Sequence, residues 1–89
     1  MNAIITVVGT DKVGIIARVS AFLAERNINI EDISQTVLSG NFVMMMMVDL
    51  SQGNTSLEKV KEDLACMESS LHVSINLMHE EVFKAMHRL

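Results

Sequence analysis

Two short stretches hold the residues whose types and spacing could do chemistry. The first is Gly9-Thr10-Asp11-Lys12-Val13-Gly14, which follows an apolar run and precedes a helical one. A strand that runs out at Gly9, a tight loop carrying Asp11 and Lys12 and a helix opening near Gly14 would leave backbone N–H groups at a positive helix end. Such an end can hold a small anion. Asp11 would add an acceptor suited to an ammonium group. The second stretch is Asn29-Ile30-Glu31-Asp32, polar and acidic, directly after that helix.

Other chemistries fit poorly. The Gly9 to Gly14 spacing resembles a phosphate loop, but Ile15 and Ile16 stand where Lys and Ser or Thr are needed. The run Met44 to Met47 alternates across a strand, so only two sulfurs could converge and the run reads as core. His72, His79 and His87 lack metal-ligand spacing, and we expect no metal and no cofactor. Cys66 is the only cysteine, which excludes an intrachain disulfide, and it falls opposite the apolar stripe of its helix. No paired acids or nucleophile elbow is present, so an enzyme is not expected. Arg18 beside the glycine loop is a faint echo of acyl phosphate hydrolysis, and acidic Asp11 opposes it.

Composition narrows the partners. The 89 residues carry a formal charge of -4 with seven scattered Lys and Arg, and their three aromatic residues are all Phe, which argues against nucleic acid. No window is apolar enough to span a membrane and no signal peptide is evident, so a cytoplasmic protein is expected. A chain this short buries roughly 60 to 65% of its unfolded surface. Because 49% of residues are apolar and 20% charged, part of the apolar excess is expected to meet a partner chain.

The elements that must position these residues follow from periodicity. Asn2 to Val8 is apolar on both faces, a central strand. Ile15, Val19, Phe22 and Leu23 repeat at helical spacing, and Arg26-Asn27 suits the helix end. Asn29 to Ser39 is a polar edge strand, Ser39-Gly40-Asn41 a hairpin turn and Phe42 to Leu50 a second central strand. Thr55-Ser56-Leu57-Glu58 reads as a capping box before a helix with the stripe Leu57, Val60, Leu64 and Met67. Ser70 to Met78 alternates as an edge strand. A final helix from His79 to Arg88 carries Val82, Phe83, Met86 and Leu89 on its apolar stripe. The expected fold is α+β, a ferredoxin-like βαββαβ sandwich with antiparallel sheet order 4-1-3-2 and an extra C-terminal helix. Residues 1–78 form the domain and 79–89 the helix, packed on the domain or on a partner chain. The same element order occurs in RNA-recognition modules, but their stacking aromatics are missing except for Phe42.

In this topology strands 1 and 2 are parallel, so Asp11 and Asn29 lie at opposite ends of the first helix. Its thirteen residues from Ile15 to Asn27 span about 20 Å. One small ligand cannot touch both within one chain. If two copies pair antiparallel through strand 2, Asn29 of one arrives beside the Asp11 loop of the other.

The chain resembles the ACT domain family. The resemblance rests on Val-Gly-Thr-Asp-Lys-Val-Gly-Ile-Ile-Ala-Arg-Val, on Ala-Glu-Arg-Asn-Ile-Asn-Ile-Glu-Asp-Ile and on the apolar third strand. It is similar to stand-alone single-ACT proteins of bacteria and archaea and to the halves of the glycine cleavage transcriptional repressor. The resemblance implies a side-by-side homodimer that holds amino acids between the first loop of one chain and the start of strand 2 of the other. On this sequence the implied site is Gly9, Asp11, Lys12, Val13, Gly14 and Ile15 with Asn29, Ile30 and Asp32. Val13 replaces the proline often found there. The implied function is a non-catalytic regulatory module for a small amino acid or related metabolite. The alternative is a ligand-free protein-protein interaction module regulating a separate enzyme or transcription factor.

Overall fold

A computed structural model describes residues 2–86. The element order is β1 (Asn2–Gly9), α1 (Lys12–Glu25), β2 (Asn29–Leu38), β3 (Asn41–Asp49), α2 (Leu57–Leu71), β4 (Ser74–His79) and α3 (Glu80–Met86). The strands form one sheet in the order β2-β3-β1-β4, with β1 antiparallel to both β3 and β4 and β2 antiparallel to β3. This is the expected ferredoxin-like sandwich, with the two doubly apolar strands in the centre.

Register assigns the two faces. Ala3, Ile5 and Val7 sit opposite Val48, Met46 and Met44, and Ile5 and Val7 also meet Leu77 and Ile75. These side chains join Ile15, Val19, Phe22 and Leu23 of α1 and Val60 and Leu64 of α2 in the core. The four methionines divide as alternation requires: Met44 and Met46 are buried in the core, while Met45 and Met47 turn to the other face and are half-buried. α3 contacts β1 and β4, and on the face opposite the core Ile4 sits across from Met47 and Met78. Beside it, β2 and β3 present Ser34, Thr36, Leu38, Val43, Met45 and Met47.

The connections explain the ends of the elements. Asn27 takes a left-handed φ of 56° after α1, as an αL stop should. Arg26 clamps the two helices. It stacks 3.7 Å from the centre of the Phe22 ring and donates to the Phe22 carbonyl at 3.1 Å and to the Asp63 carboxylate at 3.0 Å. Between β2 and β3, Ser39 and Gly40 both have positive φ, 52° and 79°, the signature of a two-residue hairpin turn whose twist matches its strands.

Three boundaries differ from the sequence reading. The first helix begins at Lys12 rather than near Gly14, because Asp11 caps it. The second is capped by Ser56, whose hydroxyl accepts from Lys59 N–H at 3.2 Å, instead of by a Thr55–Glu58 box. It also runs on to Leu71 and stops where His72 turns left-handed at φ 56°, so β4 starts at Ser74 rather than Ser70. Glu68 then ties that helix end to the sheet by accepting from Ile75 N–H at 3.1 Å. The expected helix from His79 to Arg88 is seen from Glu80 to Met86, and His87, Arg88 and Leu89 lie outside the described residues.

Candidate functional site

The first loop is built by close approach. Gly9 is buried where β1 passes beneath the first turn of α1, and a Cβ there would lie 2.6 Å from Val73 Cγ1 and 2.8 Å from Ile15 Cδ1. Only glycine lets the strand end so near the helix. After Thr10 the chain reaches Asp11, whose Oδ1 accepts from Gly14 N–H at 3.1 Å while its carbonyl accepts from Ile15 N–H at 3.0 Å. This is an N-cap. It also explains Gly14, since a Cβ at that position would sit 2.6 Å from Asp11 Oδ2.

The cap revises the anion cradle. Gly14 N–H, expected to be free, already serves the Asp11 carboxylate, so Lys12 and Val13 supply the N–H groups left at this helix end. Lys12 and Val13 are exposed, Val13 at 77%. The Lys12 ammonium lies 5.8 Å from the centre of the Phe42 ring, which places the turn above β3. Ile15 is 1% exposed, so its side chain belongs to the core and only its backbone borders the loop.

The second stretch lies at the far end of the sheet. Asn29 pairs with Asp49, which pairs in turn with Asn2, whereas Gly9 pairs with Phe42 and Phe42 with Val37. The loop from Gly9 to Gly14 therefore sits at the Val37 end of β2, and Asn29, Ile30 and Asp32 sit at the other. Asn29 and Asp32 are exposed and Ile30 is half-buried. The ladder with β3 slips between Ile30 and Asp32, leaving Glu31 as the extra residue of a β-bulge, and Asp32 Oδ1 accepts from Ile33 N–H at 2.9 Å. No sequence signal marked that bulge. Beside Asn29 is a shallow hollow lined by Asn27, Ile28, Asp49 and Gln52. The Asp49 carboxyl is held below the usual carboxylate range by the N–H of Ser51, 3.0 Å away. Among the described residues no three His, Cys, Asp or Glu are grouped to hold a metal ion.

Comparison with known proteins decides the family. The ACT domain family model matches residues 2–77. The chain belongs to the ACT domain family. A UPF0237 protein of Listeria monocytogenes is 52% identical over 89 residues, covering 100% of both chains. The solved structure of an ACT domain protein from Streptococcus pneumoniae is 44% identical with a TM-score of 0.82 and covers 98% of each chain. The regulatory subunit of aspartate kinase from Thermus thermophilus is 27% identical with a TM-score of 0.63, over 85% of this chain and 49% of that one. As an ACT domain the chain is a non-catalytic regulatory module. No helix among the described residues is long and apolar enough to cross a membrane.

Proposed function

We propose that this ACT domain is a cytoplasmic homodimeric regulatory module that binds a small amino acid or related metabolite between two copies. The observation that carries the reading is the placement of its two polar stretches at opposite ends of β2, an edge strand. An antiparallel partner along β2 brings each stretch to the other chain's complementary one. Gly9, Asp11, Lys12, Val13, Gly14 and Ile15 form one wall, and Asn29, Ile30 and Asp32 of the partner form the other. Lys12, above β3, is then two strand spacings, about 10 Å, from the partner's β2. That gap is the width of a small molecule.

The chemistry of the walls suggests how the ligand lies. The N–H groups of Lys12 and Val13 with the Lys12 ammonium suit its carboxylate, and the second Asp11 oxygen and the partner's Asp32 suit its ammonium. The domain proper ends near residue 78, and the C-terminal helix is an appendage to it. Val82 and Met86 on that helix are 51% and 64% exposed. They favour a second role, contact with a regulated protein.

A thermal-shift panel of the twenty amino acids tests the reading. At 100 times its dissociation constant a ligand stabilises by about 2.7 kcal/mol, which in a domain of this size raises Tm by roughly 10 to 20 °C. No shift from any amino acid, in a protein that light scattering shows to be dimeric, refutes amino acid binding.

A further inference from the structure

The sheet has a second edge, β4, and there a side chain of α2 reaches down to the strand. Glu68 Oε1 accepts from Ile75 N–H at 3.1 Å, while the Glu68 carbonyl accepts from the N–H groups of His72 and Val73. The bonds to its carbonyl fix the residue at the helix end, so its carboxylate is held over the strand. An N–H given to Glu68 is not part of the ladder with β1. Ile75 therefore turns its backbone groups away from the sheet, and alternation makes Leu77 do the same. Beside them lies an open hollow lined by Lys61, Leu64, Ala65 and Asn76. Unpaired groups along such an edge are a template for another strand, and a charge set on the edge refuses one.

The strand that fits this edge is β4 of a second copy. When two copies run antiparallel with Asn76 facing Asn76, Ile75 faces Leu77 and Ser74 faces Met78. On the helix-bearing face the apolar pair extends the row that Val7 and Ile5 begin, and on the other face two amides meet on the axis. No charges oppose each other, because Ser74 to Met78 contains none. In this register Ile75 N–H must donate to the Leu77 carbonyl of the other copy. That is the N–H which Glu68 holds.

We propose that the edge of β4 is a latent interface for a second copy of this chain, and that Glu68 keeps it closed. The carboxylate occupies Ile75 N–H and sets a negative charge where the incoming Leu77 carbonyl would lie. A chain open at both edges would extend without end, β2 to β2 and β4 to β4. With β4 closed, assembly stops at one pair. That limit rests on the two-copy reading above, whereas the closure of β4 stands without it.

Sedimentation velocity over a concentration series, with folding checked by circular dichroism, tests the closure. Glu68→Ala keeps a good helix former and removes only the acceptor. It is expected to at least double the mass at concentrations over which the wild type holds a single mass. Glu68→Ser, too short to reach Ile75, is expected to do the same, and Glu68→Gln, which keeps an acceptor of equal length, to stay near the wild-type mass. Adding Asn76→Lys to Glu68→Ala sets like charges on the axis and is expected to restore the wild-type mass. In a Cys66→Ser background, Asn76→Cys is expected to cross-link severalfold faster with Glu68→Ala than with Glu68 in place. Its two copies would face each other as a non-hydrogen-bonded pair with Cα atoms about 4.5 Å apart, inside the disulfide range. A wild-type mass in folded Glu68→Ala and Glu68→Ser overturns the proposal. Unfolding of both overturns it too, since a latent edge requires a strand that survives without Glu68. A larger mass that Asn76→Lys leaves unchanged overturns β4 as the surface. A monomeric wild type refutes only the pairing through β2, and Glu68→Ala is then still expected to form a pair.

Discussion

Asp11 stands at the centre of both the fold and the proposed site, and its two roles separate experimentally. Replacing it with Ala removes the acceptor for Gly14 N–H and the negative charge at the helix start. Loss of an N-cap costs about 1 kcal/mol, within a range of roughly 0.5 to 2. Asn keeps an acceptor and loses only the charge, which at an exposed helix end contributes about 0.3 to 1 kcal/mol. Gly14 supplies the internal control. With Asp11 in place, a Gly14→Ala methyl collides with Oδ2, displaces the cap and offsets the gain of roughly 0.8 to 1 kcal/mol from better helix propensity. Without the Asp11 carboxylate the same substitution is stabilising. Urea unfolding at fixed protein concentration, without added amino acids, is therefore expected to rank wild type above Asp11→Asn and Asp11→Asn above Asp11→Ala. Gly14→Ala should be near neutral in wild type and raise stability by about 1 kcal/mol in Asp11→Ala. An Asp11→Ala protein as stable as wild type, or a Gly14→Ala effect equal in both backgrounds, refutes the cap.

Gly9→Ala drives a methyl against Val73 and Ile15 and is expected to destabilise by about 1 to 3 kcal/mol, with partial rescue by Val73→Ala in the same urea assay. The pH dependence of stability reports on the helix clamp. The Asp63 carboxyl lies below its usual range because Arg26 donates to it, aided by Lys59 3.2 Å away. Its folded value being depressed, its contribution is present above the unfolded value near 3.8 and is lost as pH falls through the folded one. Urea midpoints measured from pH 7 to pH 3 should fall below about pH 4 more steeply in wild type than in Arg26→Met. Equal slopes would show that the ion pair does not couple to folding.

The parts of the fold legible in the sequence are those governed by local period. Ala3, Ile5 and Val7 against Ile4, Thr6 and Val8 marked a doubly buried strand, and the methionine run sorted itself between faces by alternation alone. The hairpin was legible because Ser39-Gly40 tolerates the two positive φ values that its turn requires. The errors came where two periods fit one stretch. Leu71, Val73 and Ile75 alternate as a strand, yet Leu64, Met67 and Leu71 also continue a helical stripe, and the left-handed turn at His72 decides between them. Gly14 drew the helix start toward itself, although Asp11 three residues earlier had the chemistry of a cap. The bulge at Glu31 and the reach of Glu68 to Ile75 depend on neighbouring strands and leave no local mark.

Magnitudes explain why the proposed site needs two chains. Binding at a micromolar dissociation constant requires about 8 kcal/mol. One exposed helix end supplies roughly 0.3 to 1 kcal/mol toward a carboxylate, and one exposed ion pair roughly 0.2 to 1. In this protein the helix end offers still less, since Asp11 has already satisfied Gly14 N–H and sets a negative charge beside the place where an anion would lie. The loop of one copy falls short by several kcal/mol. A second wall raises the interaction in two ways: it removes water from the charged contacts, and it supplies an acidic group for the ammonium that the first wall meets only through Asp11. In the proposed dimer ligand binding and pairing are coupled, because a ligand held between two walls has high affinity only for the paired state. Dimer dissociation measured by dilution should shift to lower protein concentration when the ligand is present, and by linkage the apparent ligand affinity should weaken as the protein is diluted. A ligand affinity independent of protein concentration, across a range over which the dimer demonstrably dissociates, would place the whole site within one chain and contradict the two-wall geometry.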